Sequence, residues 1–93
     1  MASPIAELLA TEATIEKLGA RGIAIDEAQQ VPRNMHLTVR DPHDGDTTRR
    51  LLIGRTDGGR ILTLVIEETI DPTTWLIVTG WEAADGERRL LNR

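Results

Sequence analysis

The chain has 93 residues, a formal net charge of −4 and 40% hydrophobic content, so a single domain spanning 1–93 with one core is expected. It holds no Cys, Phe or Tyr. Disulfides and thiol chemistry are thereby excluded, and Ile, Leu, Val and Ala must fill the interior with Trp75 and Trp81 as the large rings. No apolar run is long enough to cross a bilayer, and acidic residues stand where a signal peptide would be apolar, so a cytoplasmic protein with no membrane contact is expected.

Net acidity argues against generic nucleic-acid binding. The distribution of charge says more. Residues 1–30 carry two basic and five acidic groups, residues 31–60 six and four, residues 61–93 three and six. The middle third is the positive one, and apart from Lys17 every basic residue is arginine. Arginine offers a rigid fork of donors suited to phosphate or carboxylate.

In chain order, Pro4 to Lys17 reads as a helix, with Ser3 as N-cap, Pro4 at the first helical position and Glu7 in the first turn. Ile5, Leu8, Leu9, Ile15 and Leu18 recur at roughly helical spacing. Gly19 or Gly22 ends this helix. Asp26–Gln30 reads as a short second helix capped by Asp26 and closed by Pro32, with Ile23, Ile25 and Val31 pinning both helices to the core. From Met35 the period becomes two: Met35, Leu37 and Val39 share one face of a strand, His36, Thr38 and Arg40 the other. "DPHDGDTT" is a loop by composition. "RRLLIGRT" and "RILTLVIEE" read as strands joined by a turn at Asp57-Gly58-Gly59. A two-residue Gly58-Gly59 loop sets Ile53 opposite Leu64, Leu51 opposite Ile66 and Arg50 opposite Glu67. A three-residue loop is the alternative and flips that pairing. "WLIVTGW" is the last strand, with Trp75, Ile77, Thr79 and Trp81 on one face. "AADGERRLLN" reads as a short C-terminal helix capped by Asp85 and docked through Leu90 and Leu91.

These elements predict an α+β domain: two N-terminal helices packed on one face of a four-stranded antiparallel sheet, a short C-terminal helix, and an open second face. Arg49, Arg50, Arg55, Arg60 and Arg88 are candidate phosphate contacts, against the plainer reading of solvated strand edges. Trp81 is a candidate stacking platform or a core ring. His36 is a candidate general acid or base, or a surface histidine on an outer face. The carboxylates around His43 (Asp41, Asp44 and Asp46) do not match an EF-hand spacing, so no metal is expected. No Walker loop, HExxH, GxSxG or CxxC motif is present, and no cofactor is implied.

Three strings carry a family resemblance: "RGIAIDEA" at 21–28, "RRLLIGRTDGGRILTLVIEE" at 49–68 and "WLIVTGWEAADGERRLL" at 75–91. In this order the chain resembles the BrnT-like type II toxins, which have a RelE-like fold. The matching positions are Arg49 or Arg50, Gly54, Arg60, Thr79, Ala83, Glu87 and Arg88. The resemblance implies a toxin-antitoxin protein that binds and cleaves RNA and is neutralised by an antitoxin partner. For such an activity Arg50, Arg60 and His36 are the expected catalytic groups, and Arg49, Arg55, Trp81 and Arg88 the expected RNA contacts; of these the resemblance carries over Arg49 or Arg50, Arg60 and Arg88, and the others rest on their own side-chain chemistry. The family's basic residues correspond here to Trp81 and Glu82, and its histidine to Arg21. Those departures favour a second reading, a catalytically silent interaction module on the same scaffold that binds an acidic or amphipathic partner segment or a second copy of itself as a homodimer.

Overall fold

A computed structural model of the protein describes residues 5–41 and 48–92. The expected cap at Ser3 and start at Pro4, and the loop holding His43, Asp44 and Asp46, lie outside them. Within the described residues the order is β1 (Glu7–Leu9), α1 (Glu12–Ala20), α2 (Ile25–Gln30), a 3-10 turn (Val31–Arg33), β2 (His36–Arg40), β3 (Arg49–Arg55), β4 (Ile61–Glu68), β5 (Thr74–Glu82) and α3 (Asp85–Leu91). The class is α+β. The sheet, however, has five strands in the order β1-β5-β4-β3-β2, and β1 runs parallel to β5. It is therefore mixed, and the expectation of four antiparallel strands is corrected.

The first expected helix divides in two. Its leading half is β1, with Glu7, Leu8 and Leu9 beside Thr74, Trp75 and Leu76. The helix starts only at Thr11, whose hydroxyl accepts the Thr14 N–H at 3.2 Å. A Thr cap one residue before Glu12 satisfies an orphan donor and places a carboxylate at the positive end of the helix. After Ala20 the helix closes at Gly22, which adopts φ +75, while the Ile23 N–H returns to the Leu18 carbonyl at 2.9 Å. That six-residue return needs a left-handed residue, which glycine supplies without strain. α2 is preceded by Ala24, whose N–H donates to the Glu27 carboxylate at 3.1 Å. Asp26 lies inside this helix instead of capping it. α3 repeats the device: Ala84 precedes it, the Ala84 N–H donates to Glu87 at 2.8 Å, and Asp85 is its first residue, not its cap.

The central hairpin takes the three-residue loop. Arg55 pairs with Ile61, the Thr56 N–H donates to the Arg60 carbonyl at 2.8 Å, and Gly59 sits at φ +90. Three loop residues ending in a left-handed glycine form a common hairpin connection, because that turn matches the twist of the strands. The preferred two-residue register is thereby corrected by one position: Leu52 faces Leu64, Leu51 faces Val65, Ile53 faces Thr63, and Arg49, not Arg50, faces Glu67. A second irregularity lies in β5. Val65 pairs with Thr79 but Ile66 with Ile77, so Val78 is an extra residue in the ladder. A bulge breaks the two-residue alternation. Trp75 and Ile77 consequently share one face of the sheet and Thr79 and Trp81 the other.

Both faces are packed. On the side of α1 and α2, Leu52, Leu62, Leu64, Ile66 and Ile77 from the strands meet Leu8, Leu18, Ile23, Ala28 and Val31. On the other side α3 docks Leu90 and Leu91 against Ile53, Ile61, Leu37, Val39 and Ala83. The second face is thus not open along its whole length. Each fully buried leucine or isoleucine contributes about 1.5–3 kcal/mol of apolar burial, which is what holds helices this short on the sheet.

Candidate functional site

Side-chain direction along the strands decides what can meet. Directly opposed residues share a face, so the register sorts the arginines. Arg50 shares the α1/α2 side with Leu52, Ile66 and Ile77. Arg49 and Arg55 lie on the α3 side with Ile53 and Ile61. His36 pairs with Gly54 and so belongs to the α1/α2 side, while Leu37 and Val39 join the α3 cluster. The expectation that His36 points away from the two helices is corrected. Trp81 is on the α3 side, and Arg88 is exposed on α3.

The seven expected site residues therefore divide. His36, Arg50 and Arg60 occupy the α1/α2 side, and Arg49, Arg55, Trp81 and Arg88 the α3 side. Even the first three do not converge. His36 and Arg50 are four positions apart measured along β3, about 13 Å at strand rise.

Most of these groups are engaged within the chain. The Arg60 guanidinium donates through Nε to Glu82 at 3.1 Å, and through Nη1 to Glu27 at 3.1 Å and to the Gly22 carbonyl at 2.8 Å. It is a clasp joining the hairpin to α2 and β5. Arg49 Nε donates to Glu67 at 3.4 Å and Arg55 to the Asn92 side chain at 2.8 Å. The Trp81 indole N–H donates to Glu87 at 3.1 Å. His36 Nδ1 lies 2.8 Å from the Asn34 carbonyl. That oxygen only accepts, so Nδ1 carries a proton and donates to it.

The charges at the clasp stabilise one another. Glu27 is held below its ordinary value, chiefly by the Ala24 N–H and then by Arg60, while the Glu82 carboxylate, followed by Glu27, pushes Arg60 up. A carboxylate depressed in the folded state stabilises the fold above the unfolded carboxylate range, and that contribution is lost as pH falls through its lowered value. Arg60→Met is expected to cost about 1 kcal/mol, since these pairs are partly exposed. In the same variant the Glu27 carboxyl, followed by carbon-detected NMR, should titrate higher than in the parent but still below a free glutamate, because the Ala24 N–H remains. A Glu27 titration unchanged by the substitution would contradict the clasp.

Arg50 donates through Nη1 to the Arg49 carbonyl at 2.9 Å. With Ile5, Thr38, Glu68, Ile70 and Trp75 it also lines a cleft of about 380 Å³ on the α1/α2 side, beside the β4–β5 turn. The turn is prebuilt. Asp71 accepts from the Thr73 N–H at 2.9 Å and the Thr73 hydroxyl at 3.0 Å, and the Thr69 hydroxyl donates to the Thr74 carbonyl at 2.7 Å. The Thr73 N–H, then its hydroxyl, hold Asp71 below the usual carboxylate range. Trp75 is the residue that sequence reasoning missed here. Its Nε1 is buried and has no hydrogen-bond partner, whereas a buried indole N–H ordinarily finds one. The signal in the sequence was only its place at the head of β5, and the unforeseen bulge at Val78 obscured which way it faces.

On the opposite side, two rows of the sheet extend beyond α3. One is Leu9, Leu76, Glu67 and Arg49; the next is Thr79, Val65, Leu51 and Val39. Leu9 is 43% exposed, and Leu51, Leu76 and Val78 are half-buried. Among the described residues no cluster of three or more His, Asp or Glu is spaced to hold a metal, and no helix is long and apolar enough to cross a membrane. Compared with protein-family models and with curated protein sequences, the chain matches none.

Proposed function

We propose that the chain is a catalytically silent protein-interaction module on a BrnT-like, RelE-like scaffold, and that its α3-side sheet face receives an amphipathic segment of a partner protein. One observation carries this reading: the residues expected to cleave RNA and those expected to bind it lie on opposite sides of the sheet. A ribonuclease must stabilise the phosphorane and move a proton at one point, within hydrogen-bond reach. Arg60, Arg49 and Arg55 moreover donate to Glu27, Glu82, Glu67 and Asn92. The apolar rows through Leu9, Leu76 and Leu51 suit the apolar stripe of a partner segment, and the exposed Arg88 and Arg89 on α3 suit acidic residues at its flank.

The RNA-directed toxin is the second reading. Arg88 and Arg89 favour it, being exposed cations whose side chains make no hydrogen bond or ion pair among the described residues. One set of experiments separates the two. The protein is co-expressed with the product of any short overlapping reading frame that encodes a ribbon-helix-helix protein. Co-purification should persist in Arg50→Ala and Arg60→Ala and be lost in Leu9→Asp and Leu76→Asp variants that keep the parent circular dichroism spectrum. Alone, the protein should leave RNA intact and growth unaffected on induction. RNA cleavage or growth arrest that Arg50→Ala and Arg60→Ala abolish would replace this proposal with the toxin reading.

A further inference from the structure

We propose that β2, the open edge of the sheet, takes up an extended segment of another protein as an added strand, one that alternates carboxylate with apolar side chains. The two edges of the sheet differ. At the β1–β5 edge, side chains occupy the outward carbonyls: Leu8 accepts from Gln29 Nε2 at 3.1 Å, Ile77 from the Thr14 hydroxyl at 3.3 Å and Gly80 from Arg21 Nη1 at 2.8 Å. β2 is the other edge. The Arg55 N–H donates to the Met35 carbonyl at 3.3 Å, and the bonds of an antiparallel ladder fall on alternate residues. Leu37 and Val39 therefore bond to β3, while the main-chain N–H and C=O of His36, Thr38 and Arg40 point away from it. No hydrogen bond reaches those outward groups among the described residues. The β2–β3 ladder runs without a bulge and β2 holds no proline, so two of the devices that commonly blunt an edge are missing.

The side chains of β2 set what the added strand carries. On the α1/α2 side they are His36, Thr38 and Arg40, and the last two are exposed. The Arg40 side chain makes no hydrogen bond or ion pair among the described residues. Opposite charges facing each other across a ladder stabilise it and like charges do not, so a carboxylate fits the position beside Arg40. On the other side Leu37 and Val39 are half-buried against the α3 cluster, and each leaves apolar surface for an apolar neighbour on the new strand. Main-chain bonds to His36, Thr38 and Arg40 supply the affinity, and the alternating side chains supply the choice of partner. A second copy of this chain fits less well, because its β2 brings His36, Thr38 and Arg40 again and no carboxylate. This inference stands apart from docking on the α3-side face: it uses the main chain of the edge and not the apolar rows through Leu9 and Leu76.

Amide hydrogen exchange followed by ¹H–¹⁵N NMR tests this. In dilute protein the Leu37 and Val39 amides should exchange slowly and the His36, Thr38 and Arg40 amides fast. The peptide acetyl-TVEVEVT-amide should slow the three outward amides by about tenfold or more at saturation. Its counterpart acetyl-TVKVKVT-amide should bind about fivefold more weakly, from the loss of one exposed ion pair and the gain of a like-charge contact. Arg40→Glu, a change at an exposed position, should reverse that preference. Methylating the glutamate nitrogens of the first peptide, whose N–H groups face β2, should abolish the protection, whereas methylating its valine nitrogens, which face away, should not. Leu9→Asp should leave peptide binding unchanged, so the edge and the α3-side face are tested separately. Outward amides that stay fast at millimolar peptide overturn the proposal, and so does equal binding of the two peptides. Protection that rises with protein concentration alone assigns the edge to a second copy and overturns it as well.

Discussion

Replacing Gly54 by valine is expected to cost about 3 kcal/mol or more, at the upper end of overpacking penalties, from a total stability on the order of 5–15 kcal/mol. A Cβ at this position would lie 2.6 Å from the His36 Cβ, 2.7 Å from Val31 Cγ1 and 3.1 Å from the Met35 carbonyl oxygen. Two of those three atoms are backbone or fixed to it, so rotamer changes cannot relieve them. Either β2 must move off β3 or the Val31–Arg33 turn must lift, and Val31 is fully buried. The glycine is there because a helical turn and a neighbouring strand both approach the β3 backbone at one point. Urea unfolding checks the size of the effect, with Gly54→Ala as the smaller step. A Gly54→Val midpoint within experimental error of the parent would mean that the close approach is wrong.

Why some elements were legible and others not follows from the same geometry. β2 announced itself through alternation and β3 to β5 through apolar runs bounded by turn residues, whereas α2 and α3 were expected on Asp26 and Asp85 as caps, a part that Glu27 and Glu87 take instead by accepting from the preceding N–H. The segment at Ile5–Leu9 was not legible. Ile5, Leu8 and Leu9 fit a helix turn as well as a short strand. What decides is a long-range partner: the Thr73 carbonyl accepts from the Ala6 N–H at 2.8 Å, and local propensity has no view of it. The Thr11 cap was in the sequence, but the reading that began at Ser3 passed over it.

The candidate site was less legible than the fold, for a compounding reason. Which face an arginine occupies depends on register, and register hung on a single loop residue. Taking Gly58-Gly59 as the whole loop put Arg50 opposite Glu67. The added loop residue gives that ion pair to Arg49 and sends Arg50 to the cleft beside Trp75. The Val78 bulge has the same effect on the tryptophans. From alternation alone Trp75 and Trp81 share a face. With one extra residue Trp75 turns to the α1/α2 side and Trp81 to α3. Arginine-rich strands therefore pointed to anion chemistry, but the sequence did not carry the parity needed to say which arginines act together. Arg60 shows the other limit. Its carboxylate partners, Glu27 and Glu82, are more than twenty positions away along the chain in either direction.

Leu64→Ala is expected to destabilise by about 3 kcal/mol, within the range of buried leucine truncations, and to lower the melting temperature by about 15 °C for a domain of this size. Leu64 is fully buried at the centre of the sheet, opposite both Leu52 and Gly80. Gly80→Ala alone should also destabilise, by about 1–2 kcal/mol, because its Cβ would lie 2.6 Å from Leu64 Cδ2, 3.0 Å from the Thr63 carbonyl oxygen and 3.2 Å from Leu18 Cδ2. Here, unlike at Gly54, the nearest atom is the tip of a leucine, the very atom that Leu64→Ala removes. The methyl added at position 80 then enters the space left at position 64. The double variant should accordingly lose about 1 kcal/mol less than the sum of the two single losses, the scale of coupling between residues in direct contact. Full rescue is not expected, since the Thr63 carbonyl stays where it is and one methyl fills only part of the volume of three missing carbons. Strict additivity in urea unfolding of the four proteins would show that Leu64 and Gly80 do not pack against each other, and with that the placement of β5 beside β4 after the Val78 bulge would fall.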